Sequence, residues 1–407
     1  MASAERKRAG FLILIAWLAY LISYLGRSDY SACMLQILND TGVSRTLAGM
    51  VSSSFALCNA FGQIAAAVVM RKVSALKVIA VEIFTVFAIN VLFPMTGSFP
   101  VMALLWGING AMQATLLCGL TQIFACSLKE PYLSRGVVLL NTIGAVGGMF
   151  NYVLTHFLIR WFRWQTVFLT VSCLLAVIGI VWCAVMPRLA GPVQKKEAKN
   201  LGPFSLKKAL FSCGALYVIV GAFFVGGLRE SVSLWIPTYL KDTFRLPNEV
   251  ATVITAVVPC VQVSGAFLGG YFGRRSQVLQ FPAFGAFMLS GFCLLTIRLL
   301  GDFNPVVSVL LFAVNAASMT AALTFLLSLF PVRHVSPAGV ATMVAIINFS
   351  VHAGDFAAAT GLGGLSAYGW NVAFNVLCSG AAAGGLICLI GGVACKKEKR
   401  NEKRVHL

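Results

Sequence analysis

Stretch after stretch of this chain is apolar for about twenty residues or more, the length of helix that crosses a bilayer, beginning with the run that opens at Phe11. This pattern excludes an ordinary water-soluble globule, and so do the proportions behind it: of 407 residues 59% are hydrophobic and only 11% charged. A closed β-barrel would need ten-residue alternating segments, and none are present. The expected class is therefore an all-α integral membrane protein.

Twelve spans are predicted. In the first half they cover 10–36, 46–70, 77–96, 99–126, 136–159 and 165–186. In the second they cover 209–239, 248–273, 281–300, 304–331, 336–362 and 367–394. The chain thus divides into an N-terminal six-helix bundle (1–186), a basic linker (187–208), a C-terminal six-helix bundle (209–395) and a basic tail (396–407). The linker carries Lys195, Lys196 and Lys199 and gives the halves freedom to rock.

A formal charge of +18 raises the question of a nucleic-acid binder, and its distribution answers it. Most of the 31 Lys and Arg fall in the termini and in alternate connections, the positive-inside pattern, so both termini are expected in the cytoplasm and no nucleic acid is expected as a partner. The tail from Lys396 to Arg404 reads as a topology and lipid-headgroup signal. Arg6-Lys7-Arg8 before the first span imitates a signal peptide, but the apolar run is too long and lacks a cleavage site, so it is read as a retained span. The twelve cysteines are scattered through apolar runs without a CxxC pair or a His cluster. They read as packing residues, with no metal, cofactor or disulfide framework expected.

Against this background a charge inside a span marks a site. Arg27 sits near the end of the first apolar run. Tyr20, Tyr24, Arg27 and Ser31 follow i, i+4, i+7, i+11 spacing and share one helix face. At an offset of 202 residues Arg27 meets Arg229, Ser31 meets Ser233, and Asp40-Thr41 meets Asp242-Thr243. Two related halves would each contribute one arginine to a central cavity. In the seventh span Gly226, Arg229 and Ser233 share a face, with Glu230 rotated by about 100°.

Other polar residues in the spans have two readings each. Asn109 and Gln113 share a face of the fourth span, and Asn141 precedes Gly144, Gly147, Gly148 and Asn151 in the fifth. They suit substrate contact or hydrogen bonding between helices equally. Asn348, His352 and Asp355 line one face of the eleventh span, where a carboxylate beside an imidazole can relay protons or pair with an arginine. Asp29 and Glu230 are further proton-coupling or charge-pairing candidates, and Glu82, near the cytoplasmic end of its span, is expected to snorkel or to pair with a loop lysine. No nucleophile-base pair or phosphate-cradling glycine loop suggests an enzyme.

Taken in order, Tyr24 with Arg27; Trp106 to Gly110 with Gln113; Ser134-Arg135-Gly136 with Asn141, Gly147 and Gly148; Arg229 with Trp235 to Lys241; and Ala338-Gly339 with Gly369-Trp370 form a pattern across both halves. The chain resembles the organophosphate:phosphate antiporter family of the major facilitator superfamily. Arg71-Lys72 and Arg274-Arg275 look like worn copies of the superfamily's signature loop. The resemblance implies the major facilitator fold, two pseudo-symmetric bundles, and phosphate binding by Arg27 and Arg229. The sequence departs from the family at Ser28, where a lysine follows the first arginine; at Gln63, in place of a second-span lysine; and at Gly144-Ala145, in place of a histidine-asparagine pair.

The expected function is alternating-access transport of a small organic anion, with an organophosphate as the class the resemblance implies. The expected substrate-binding set is Arg27, Arg229, Tyr24, Asn109, Gln113, Asn141 and Ser233. A coupling proton or counter-transported phosphate, the bilayer and a monomeric state in a plasma or bacterial inner membrane complete the expectation. Two alternatives remain: a proton-coupled carrier of a carboxylate or zwitterion using Asp29, Glu230, His352 or Asp355, and a membrane sensor that binds without transporting.

Overall fold

Pro259, Pro331 and Pro237 each remove an N–H from a long helix, and at two of the three the helix changes form. The computed structural model describes residues 2–129, 132–191, 210, 214–300, 304–334 and 340–405. Helices α1 (Ala2–Thr41), α2 (Arg45–Lys72), α3 (Ala75–Leu92), α4 (Phe99–Gln113), α5 (Leu116–Ser127), α6 (Tyr132–Asn141), α7 (Ile143–Ile159) and α8 (Gln165–Ala190) make up the first half. In the second half come α9 (Ala215–Phe244), α10 (Asn248–Thr255), α11 (Val257–Arg275), α12 (Gln280–Leu300), α13 (Pro305–Leu323), α14 (Phe330–His334), α15 (Val340–Ser366) and α16 (Trp370–Val405).

Ten helices among the described residues are long and apolar enough to cross a membrane. The remaining predicted spans are α2, 28 residues long, and the α6–α7 pair, which breaks at Thr142. The eighth span divides at Ala256 because Pro259 cannot donate to the carbonyl of Thr255. The tenth widens into a π-helical turn at Thr324–Leu329 just before Pro331, which relieves the same conflict. The last helix runs through the basic tail to Val405, so the tail begins as a continuation of the span. Most of the expected linker, 192–208, lies outside the described residues.

The chain forms two compact units, 1–43 with 54–199 and 44–53 with 200–407, so the first turns of α2 group with the second unit. The core of the first is mostly aliphatic where α1, α3, α5 and α8 meet, through Leu12, Ala16, Ile79, Ile83, Leu120 and Leu175, with Phe124 among them. It is aromatic where Tyr30, Phe93, Trp106 and Phe168 gather, the Phe93 and Phe168 rings stacking at 4.9 Å. The second unit repeats this theme with Tyr239, Phe312, Trp370 and Phe374. Apolar side chains such as Val177, Ile180 and Phe292 are more than 60% exposed, the surface a lipid environment accepts.

Two expectations are corrected. Glu82 does not snorkel: it is fully buried, with Ser23 Oγ donating to its Oε2 at 3.4 Å, because α3 packs against α1 at this depth. Ten described cysteines are free, but Cys395 is disulfide-bonded and therefore more than a packing residue.

Candidate functional site

Arg27 and Arg229 each lie within a helix long and apolar enough to cross a membrane, and each has its own neighbours. Arg27 is half-buried on α1. Its guanidinium carbon lies 5.6 Å from the centre of the Tyr24 ring, one turn earlier, and 5.1 Å from that of Phe55 on α2. Both contacts are of the cation–π kind, which stabilises a cation that has left bulk water. Tyr24 can lie where it does because α7 has a glycine beside it: a Cβ on Gly147 would meet Tyr24 Cδ1 at 2.6 Å. Gly147 thus makes room for the ring that flanks the arginine.

Beneath Arg27 runs a line of buried hydrogen bonds. Ser28 Oγ donates to the Tyr24 carbonyl at 2.9 Å and accepts from Asn151 Nδ2 at 3.0 Å, tying α1 to α7. Asn109 Nδ2 donates to the Gly26 carbonyl at 2.8 Å. Gln113 Nε2 donates to the Ser23 carbonyl and to Asn109 Oδ1, each at 3.0 Å. Asn109 and Gln113 are buried, and these bonds join them to the α1 backbone and to each other. These bonds tie α4 to α1. Asp29 is buried on the opposite side of α1 from Arg27, its Oδ1 accepting from the Tyr30 N–H at 2.8 Å.

In the second unit Arg229 is half-buried on α9. Ser233 Oγ donates back to the Arg229 carbonyl at 2.9 Å. Four residues further, Pro237 has no N–H to donate to the Ser233 carbonyl, yet the helix continues unbroken to Phe244. Asn315 on α13 donates from Nδ2 to the Leu228 carbonyl at 3.0 Å and accepts on Oδ1 from Ser290 Oγ at 2.6 Å.

His352 and Asp355 form a buried pair on α15, with Nδ1 to Oδ2 at 3.2 Å. This turn of α15 meets α9 one turn before Arg229. A Cβ on Gly226 would lie 1.9 Å from the Val351 carbonyl oxygen and 3.2 Å from the Asp355 backbone nitrogen. Asn348 is half-buried on the same helix. Asn141 and Glu230 lie on α6 and α9, and their side chains fall outside the described residues. Among the described residues no three His, Cys, Asp or Glu gather in a way that could hold a metal.

Phe55 and Asn315 were not singled out in the sequence. Nothing in a lone phenylalanine of an apolar helix marks it as an arginine's neighbour. Asn315 carried a signal, an amide inside an apolar span, at an offset of 206 residues from Asn109 where the arginines repeat at 202.

With this geometry in place, comparison with known proteins gives consistent results. The family model described as Major Facilitator Superfamily matches residues 16–359. "Membrane sensor protein UhpC" of Escherichia coli (strain K12) is 22% identical over 172 residues, 42% of this chain and 39% of that protein. "Probable anion transporter 6, chloroplastic" of Arabidopsis thaliana is 22% identical over 283 residues, 63% of this chain and 52% of that protein. The matches therefore span about two fifths to half the length of these curated relatives. The crystal structure of a bacterial homolog of the human lysosomal transporter Spinster superposes with a TM-score of 0.75 at 15% identity, covering 95% of this chain and 96% of that one. At that identity the likeness is one of fold.

Proposed function

The chain belongs to the Major Facilitator Superfamily and is a multi-pass membrane transporter, not an enzyme, and from that premise we propose that it carries a small organic anion bound by Arg27 and Arg229. The observation that carries this reading is the seating of Arg27, a guanidinium held against the rings of Tyr24 and Phe55 inside a membrane-spanning helix. A cation–π contact engages the flat faces of a guanidinium, and its N–H groups lie in the guanidinium plane, the direction from which carboxylate and phosphate are recognised in pairs. A positive charge at the centre of a span costs about 2.5–3.5 kcal/mol on insertion scales, so two of them are a burden without a function.

In this reading the bound anion offsets the charge of the arginines, lowers the cost of enclosing them away from water, and lets the halves reorient. The relative whose name is that of an anion transporter supports the substrate class, and the resemblance to the organophosphate:phosphate antiporters supports an organophosphate with phosphate as counter-substrate. The lysine excess in the termini and alternate connections supports cytoplasmic termini, with the carrier acting as a monomer in a plasma or bacterial inner membrane.

A second reading rests on the His352–Asp355 pair, a buried imidazole and carboxylate on the helix that packs against the Arg229 turn. It makes the carrier proton-coupled, and the substrate then extends to carboxylates and zwitterions.

Uptake of labelled phosphate and organophosphates into proteoliposomes tests both. Arg27→Ala and Arg229→Ala should each abolish uptake while inserting normally, and wild-type transport by both variants overturns the assignment. Uptake driven by an imposed pH gradient and lost in Asp355→Asn selects the second reading.

A further inference from the structure

One kind of hydrogen bond occurs once within each half, and neither the family likeness nor the arginine repeat assigns it. Asn109 and Asn315 each stand ten residues after the first residue of their helix, α4 from Phe99 and α13 from Pro305. Both side chains are fully buried. Asn109 donates to the carbonyl of Gly26, and Asn315 to the carbonyl of Leu228. Those are the residues directly before Arg27 and Arg229.

Each amide is also held at its other end. Asn109 Oδ1 accepts from Gln113 and Asn315 Oδ1 from Ser290, so in both halves the oxygen has a donor and the nitrogen points at the carbonyl. The donors differ in type and in position, one a side chain four residues along the same helix and one a hydroxyl on a neighbouring helix. What recurs is the contact with the carbonyl before the arginine. An amide needed only to bind two helices together would serve at any turn of either helix.

We infer that Asn109 and Asn315 are positioning residues, each fixing the height and rotation of the arginine-bearing helix in its own half so that the guanidinium is presented at a set place. A bond to the peptide directly preceding an arginine constrains the arginine's own Cα more closely than a contact made by a distant side chain. In the first half Gln113 adds a second fixed point at the Ser23 carbonyl, one turn below. In the second half Pro237 leaves the Ser233 carbonyl without its helical donor one turn beyond Arg229, and the Asn315 bond holds the turn before it. This inference rests on the reading of Arg27 and Arg229 as the anion-binding pair.

The test uses the full-length chain and reads each arginine separately. Asn109→Leu and Asn315→Leu keep the approximate volume and remove the donor; Asn109→Gln and Asn315→Gln keep the amide and displace it by a methylene, and serve where leucine prevents folding. Modification of guanidinium groups by phenylglyoxal is followed for the Arg27 and Arg229 peptides by mass spectrometry, beside phosphate-induced shifts in melting temperature. Asn109→Leu should change the Arg27 rate about fivefold, the scale of one net hydrogen bond, and leave Arg229 at the wild-type rate. Asn315→Leu should do the reverse. Phosphate affinity should fall in each single variant, because each displaces one of the two arginines. Equal changes at both arginines, or none at either, would overturn the inference. A half-specific labelling pattern in a protein that ignores phosphate would leave the positioning role standing and remove the phosphate-class ligand.

Discussion

The ring of Tyr24 occupies the space that a side chain on Gly147 would need, with Cδ1 only 2.6 Å from where that Cβ would stand. Tyr24 in turn flanks Arg27, so a glycine on α7 bears on a charge on α1 through an aromatic ring. Gly147→Ala should displace the ring and weaken anion binding by up to about 1 kcal/mol, roughly fivefold, the scale of a partly exposed cation–π contact. Tyr24→Leu should give a loss of the same order and Tyr24→Phe little, as read by titration of phosphate against intrinsic fluorescence or melting temperature.

Close contact of α9 with α15 rests on two glycines facing opposite ways. A Cβ on Gly226 would meet the Val351 carbonyl oxygen at 1.9 Å, and one on Gly354 would meet the Phe223 carbonyl oxygen at 1.8 Å. Backbone cannot yield as a side chain can, so Gly226→Ala and Gly354→Ala should each destabilise the protein by about 1–3 kcal/mol through overpacking. Thermal unfolding in detergent reads this directly. Gly361→Ala, on the same helix with open space around it, should leave the melting temperature near wild type.

Glu82 is a fully buried acid whose contact among the described residues is the hydroxyl of Ser23. Glutamine retains the shape and an acceptor without a charge to desolvate, so Glu82→Gln should be at least as stable as wild type. Glu82→Ala removes the acceptor and leaves a void, at a cost of about 2 kcal/mol or more. A Glu82→Gln variant less stable than Glu82→Ala would show that the carboxylate is required for more than its shape.

The legible part of this fold was the part that composition and period control. Apolar length marked the spans, and the 202-residue offset related Arg27 to Arg229 as a repeat within the sequence. What a one-dimensional pattern does not carry is which helix lies against which face. Glu82 looked exposed because its distance from the end of its span can be counted, while the packing of α3 on α1 that buries it cannot. Asn109 and Gln113 were legible as polar residues on one face, yet their attachment to the carbonyls of Gly26 and Ser23 depends on the approach of α4 to α1. Asn315 escaped because the connections of the two halves differ by four residues between the arginine helix and the asparagine helix, which moves the amide off the offset that aligns the arginines.

Arg45 and Asp242 form an ion pair at 2.5 Å within the second unit. Trp370 Nε1 also donates to Asp242 at 3.0 Å, and the Arg45 guanidinium lies 5.8 Å from the Trp370 ring. Both charged side chains are about one quarter exposed, so solvent screening limits the pair to about 1 kcal/mol at most. Asp242→Asn should lower the melting temperature slightly, with the difference from wild type shrinking as sodium chloride is raised. Arg45→Asp with Asp242→Arg should recover part of the loss.

The central claim is that Arg27 and Arg229 bind one class of small anion. Its most direct test is the ligand-induced shift in melting temperature of the purified protein, with inorganic phosphate, sugar phosphates, carboxylates and zwitterions presented to the wild type and to the two alanine variants. A ligand that binds only the folded state stabilises it in proportion to the logarithm of its excess over Kd. Anions should stabilise the wild type, with phosphate compounds foremost, and should lose that effect in both Arg27→Ala and Arg229→Ala. Undiminished stabilisation of both alanine variants by the same anions, or stabilisation of the wild type by zwitterions alone, would contradict it.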